Sequence, residues 1–76
     1  MNNQRREQLM KLLDPIEEVK GQVESFLEEE QAAYDNMPEN LQNGQNGDKA
    51  QSAISALEAA AQSLEEAIES IKESTE

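Results

Sequence analysis

Arg5, Arg6 and Lys11 are the one place where basic side chains cluster in this 76-residue chain, and binding an anion is the chemistry such a cluster could serve. Acids are far more numerous. Seventeen Asp and Glu against six Lys and Arg leave a net charge of −11. Neither His nor Cys occurs. Their absence removes the usual nucleophile–base pairs, thiolate and imidazole metal ligands, and disulfides. Ser25, Ser52, Ser55, Ser63, Ser70 and Ser74 fall in helical surface patterns with no base nearby in sequence. Glu28, Glu29 and Glu30 are consecutive, so on a helix they fan around it. The run Asp35 to Glu39 lacks the alternating ligands and the glycine of a calcium loop, and no glycine-rich loop is present to cradle phosphate. The expectation is a non-enzymatic protein with no catalytic residue, no metal and no cofactor.

What remains is recognition. Tyr34, Asp35, Asn36, Met37, Glu39, Asn40 and Gln42 form a dense mix of polar and apolar groups where a helix should break. They read either as a hairpin elbow closing the end of a core or as a displayed recognition patch. Arg5, Arg6 and Lys11 read either as anion contacts or as a solvated terminus. Residues 1–20 carry four bases and four acids, whereas residues 21–76 carry thirteen acids against Lys49 and Lys72. Such a surface repels nucleic acid and anionic membranes and favours basic partners. The same acids also serve as a solvated helix face.

The elements that would carry these groups are helices. Leu9, Leu12, Ile16, Val19, Val23, Phe26, Glu30, Ala33 and Met37 alternate steps of three and four, the seam of a packing helix. With Leu9 at position a, Leu13, Lys20, Leu27 and Tyr34 fall at e and widen the stripe. Glu30 is the misfit on this seam, reading either as a residue at the mouth of the bundle near the hinge or as one that fixes register through a partner such as Lys49 of another helix. Asp14-Pro15-Ile16-Glu17 reads as a helix start, yet the heptad phase runs through Pro15 unshifted. A first helix over 3–36 is therefore expected, kinked at Pro15 or split at 14–15, with the kink favoured. Met37-Pro38 stops it. Residues 37–48 form a hinge loop, in which Asn43-Gly44 and Asn46-Gly47 supply residues that tolerate positive φ. Asp48 caps the last helix, 49–73, with Gln51 as its reciprocal partner. There Ala50, Ile54, Leu57, Ala61, Leu64, Ile68 and Ile71 form the seam, with Ala53, Ala60 and Ala67 at g and Glu58, Glu65 and Lys72 at e.

The predicted fold is all-α: a hairpin of two long helices in one domain. A chain this short, with one Phe, one Tyr and no Trp, needs reinforcement that only a partner can supply here. Two hairpins pairing into a dimeric four-helix bundle bury both broad faces. The expected interface comprises Leu9, Leu12, Leu13, Ile16, Val19, Phe26, Ile54, Leu57, Leu64, Ile68 and Ile71. Higher helical oligomers stay open, because alanine-rich faces do not fix the number of strands.

The run from Phe26 to Gln42, Phe-Leu-Glu-Glu-Glu-Gln-Ala-Ala-Tyr-Asp-Asn-Met-Pro-Glu-Asn-Leu-Gln, resembles a motif of small acidic proteins of bacteriophages and prophages. In those an Ala/Glu-rich helix follows, as in Leu57-Glu58-Ala59-Ala60 and Leu64-Glu65-Glu66-Ala67 here. The resemblance covers roughly residues 20–70. It implies a viral accessory protein acting on a host protein, such as a defence component, and carries over no catalytic residue. The expected function is thus a homo-oligomeric binding module, its acidic faces mimicking nucleic-acid charge. A sequestering protein for anionic nucleotide signals, with pockets between subunits recruiting Arg5, Arg6, Lys11 or Lys20, is a second reading. A virion assembly component is a third. No run approaches a membrane span, and the expected location is the host cytosol, without direct contact to nucleic acid or membrane.

Overall fold

The computed structural model describes all 76 residues, and every element in it is helical. α1 spans Asn3–Lys11, α2 Leu13–Asp35, α3 Glu39–Gln42 and α4 Gln45–Ser74. α2 and α4 pack along their lengths as the expected hairpin, giving a rod of 58 × 14 × 13 Å. No helix is long and apolar enough to cross a membrane.

Asn2 starts α1: its Oδ1 accepts the Arg5 N–H at 2.8 Å, filling one of the donors that a helix start leaves unpaired. α1 and α2 are separated by Leu12 alone, which keeps right-handed helical angles (φ −78°, ψ −17°). Pro15 has no N–H to offer the Lys11 carbonyl, and its ring crowds that carbonyl. The Leu12 N–H turns back to Leu9 at 3.0 Å, and the Ile16 N–H reaches Leu12 at 3.2 Å. The helix is thus interrupted at Leu12, three residues before Pro15, while the backbone there stays right-handed. Asp14 therefore lies within the helix and is not a cap.

Packing rotates the seam of α2 by a fraction of a turn from the predicted one. The residues half-buried on α2 are Leu13, Ile16, Lys20, Val23, Leu27, Glu30 and Tyr34. These are the a and e positions; the d positions turn outward, leaving Leu12 50%, Val19 48% and Phe26 58% exposed. α4 keeps the predicted seam, with Ala50, Ile54 and Ile68 buried and Leu57, Ala61, Leu64 and Ile71 half-buried. The fully buried apolar core amounts to three residues, Ala50, Ile54 and Ile68.

The hinge is more helical than its sequence suggests. α2 ends at Asp35, with the Asn36 N–H donating to the Ala32 carbonyl at 3.0 Å. Pro38 turns extended (φ −56°, ψ 147°), and its carbonyl accepts from Leu41 and Gln42 to start the single turn of α3. Gly44 is extended (φ −101°, ψ −167°), and α4 then begins at Gln45, four residues before the predicted start. No residue has positive φ, so the Asn-Gly pairs do not serve as left-handed turns. Gly47 is required for another reason: it is buried in the first turn of α4, where an added Cβ would collide with the Gln42 backbone. Asp48, predicted as the cap, lies inside that first turn and donates its N–H to Gly44 at 3.0 Å. There its carboxylate complements the positive end of the helix.

Candidate functional site

At the elbow, Tyr34 is held from two sides. Its hydroxyl accepts from Gln51 Nε2 on α4 at 2.9 Å, and its carbonyl accepts from Gln42 Nε2 on α3 at 2.9 Å. Three helices are tied through one residue. Met37 is half-buried beneath this clamp, its N–H donating to the Tyr34 carbonyl at 3.1 Å. Asp35 is exposed and accepts from Gln31 at 3.0 Å across one helical turn. Asn36, Glu39 and Asn40 are also exposed. The predicted patch thus divides: Tyr34, Met37 and Gln42 build the elbow, while Asp35, Asn36, Glu39 and Asn40 present polar groups to solvent.

The basic cluster divides too. Arg6 is half-buried, with its guanidinium donating to Asn3 Oδ1 at 2.7 Å and to the Met1 carbonyl at 3.3 Å. Arg5 is exposed and, with Gln8, Leu9 and Leu12, lines a shallow open groove. Lys11 is exposed in the last turn of α1, where a cation complements the helix dipole. The three do not converge on one point.

Ion pairs mark one edge of the hairpin. Lys20 Nζ lies 3.0 Å from Glu65 and 3.9 Å from Glu24, and Lys72 Nζ lies 3.9 Å from Glu17. The hydrogen bond to Glu65 raises the Lys20 pKa above its ordinary 10.5; partial desolvation opposes this, and Glu24, Glu65 and Glu17 add attraction. Lys20 and Glu65 both occupy e positions, which antiparallel helices bring together at one edge. That shared position was the signal in the sequence for a pair the seam pattern alone did not name. Within the hairpin Glu30 and Lys49 form no ion pair, and Glu30 rests half-buried on the seam.

The opposite edge has no charge pairing. Turning around α2 away from Glu17 and Lys20 leads to Leu12, Val19, Phe26 and Ala33. Turning around α4 away from Glu58, Glu65 and Lys72 leads to Ala53, Ala60 and Ala67. Seven-residue spacing stacks each set along one line of its helix. The Arg5–Leu12 groove continues the α2 line toward the N-terminus. Among the expected interface residues, Ile54 and Ile68 are consumed inside the hairpin, Leu9, Leu13, Ile16, Leu57, Leu64 and Ile71 are half-buried in it, and Leu12, Val19 and Phe26 stay free.

No three acidic side chains converge to hold a metal ion. Neither a family model, nor a curated protein sequence, nor a solved structure matches this chain.

Proposed function

We propose that this chain is a non-enzymatic binding module, a bacteriophage accessory protein that pairs into a dimeric four-helix bundle and engages a basic host protein. The observation that carries this reading is the division of its exposed surface. One edge is an exposed apolar stripe through Leu12, Val19 and Phe26, suited to a second hairpin. Most of the rest is acidic, with Asp35 and Glu39 displayed beside Asn36 and Asn40 at the elbow. Acid clusters on a rigid rod present a spacing of negative charge that a basic groove can accept in place of nucleic acid, which suits a counter-defence role. The phage assignment rests on the Phe26–Gln42 resemblance.

Capture from host lysate on immobilised protein tests it, at low and at high salt. Recovery of a basic protein that is released as salt rises is the expected result. No capture, or capture indifferent to salt, counts against charge mimicry.

The Arg5–Gln8–Leu9–Leu12 groove favours a second reading, sequestration of an anionic nucleotide, since it sets a guanidinium beside apolar walls. Lys20 is already engaged by Glu65 and Glu24, which leaves Arg5 as the main anion contact. A thermal-shift screen with cyclic and linear nucleotides decides it: no stabilisation by any of them removes this reading.

A further inference from the structure

The uncovered stripe has an orientation as well as an area. We propose that a second copy of this chain lies antiparallel across it, related by a two-fold axis that runs perpendicular to the helices and passes between Val19 and Phe26. The proposal deepens the pairing described above and rests on it.

Area is the first argument. The chain exposes 5547 Å², whereas a compact monomer of 8.5 kDa exposes about 4,650 Å². The excess of roughly 900 Å² is close to the ~800 Å² that each partner contributes to a standard interface. A core of three buried apolar residues gives the single hairpin little else to hold it together.

Layering is the second. Among the ways two such stripes can align, one antiparallel register leaves no member unpaired. It sets Leu12 against the partner's Ala33 and Val19 against the partner's Phe26, then repeats both pairs across the axis. Each layer joins a larger side chain to a smaller one, so the separation of the two α2 helices stays even. On α4 the same register brings Ala60 to the partner's Ala67, where small residues permit close approach.

Charge is the third. Antiparallel pairing lays the basic first helix, with Arg5 and Lys11, along the partner's acid-rich elbow around Asp35 and Glu39. A parallel pairing instead sets Arg5 and Lys11 against their own copies. Leu12, Val19, Phe26 and Ala33 carry no charge, and the acids that flank Phe26 and Ala33, Glu29 and Glu30, lie level with the partner's Ile16 and Pro15 in this register.

The chain has no cysteine, so introduced thiols report the geometry without background. Gln22 is exposed beside the axis, and Gln22→Cys should bring two sulfurs within reach of a disulfide, for which Cα atoms lie about 5.5–6 Å apart. Mild oxidation is expected to convert most of this variant to covalent dimer, while Ser25→Cys, on the outer face, stays uncrosslinked. Spin labels on Asn3→Cys should lie far apart, comparable with the 58 Å length of the rod. Light scattering should give twice the chain mass for the unmodified protein. Phe26→Glu should lose the dimer while keeping its helical circular dichroism. A dimer that does not crosslink at Gln22→Cys and brings the Asn3 labels close overturns the antiparallel arrangement and leaves pairing intact. A protein that stays monomeric at every concentration overturns both and leaves the stripe to a helix of another protein.

Discussion

Gly47 and Gly21 show how differently one residue type can act within one chain. Gly21 lies on the outer face of α2, where an added methyl group would meet nothing within 4 Å, so Gly21→Ala should stabilise the fold by about 0.5–1 kcal/mol. Gly47 meets the Gln42 backbone, so Gly47→Ala should destabilise it by about 1–3 kcal/mol, because backbone must move to make room. Chemical denaturation of the two variants checks both signs. Lys20 supplies a pH dependence. Its folded-state pKa is raised above 10.5, chiefly by the hydrogen bond to Glu65. The contribution of the pair is therefore complete below the unfolded-state value and is lost as pH rises through the raised one. Lys20→Gln should melt slightly lower at neutral pH, and its difference from the unmodified protein should vanish in the alkaline range. Both partners are partly exposed, which keeps the effect small.

At the scale of the element, Pro15 sets the shape of the first half. Replacing it with Ala restores the N–H that the Lys11 carbonyl lacks, and Pro15→Ala should raise both helicity and the denaturation midpoint. A lower midpoint would mean that the interruption at Leu12 is needed for α1 to pack. The interruption near Pro15 was legible from the proline, although it falls at Leu12 and not at 14–15. So was the seam of α4, where Ile54, Leu57, Leu64 and Ile68 leave no competing face. The seam of α2 was not legible, because Leu13 and Leu27 at e are as apolar as Val19 and Phe26 at d. A stripe that broad does not say which half faces inward until the partner helix is placed. The start of α4 was missed for a related reason. Asn43-Gly44 and Asn46-Gly47 are strong local turn signals, but packing of Gly47 under Gln42 recruits the second pair into the helix. Within the candidate site, the elbow position was legible from Pro38, whereas the clamp on Tyr34 depends on Gln42 and Gln51 meeting across a fold that sequence spacing does not show.

For the whole molecule, a hairpin with so small a core should depend on its own concentration. The melting temperature is expected to rise with protein concentration, because association draws on the folded state alone, and Phe26→Glu should abolish that dependence. Scanning calorimetry over a hundredfold concentration range measures both. The elbow carries a consequence for how copies can exchange segments. Asn36 and Asn43 are close to helical geometry (φ −88° and −86°), and no left-handed residue locks the reversal. The chain is held back from running on as one long rod mainly by Pro38 and the extended Gly44. Pro38→Ala removes the stronger of the two stops. It should favour open chains that trade their last helix with a neighbour, seen in small-angle scattering as particles markedly longer than 58 Å. Pro38, which reads as punctuation in the sequence, is thereby expected to guard against helix exchange between copies as well.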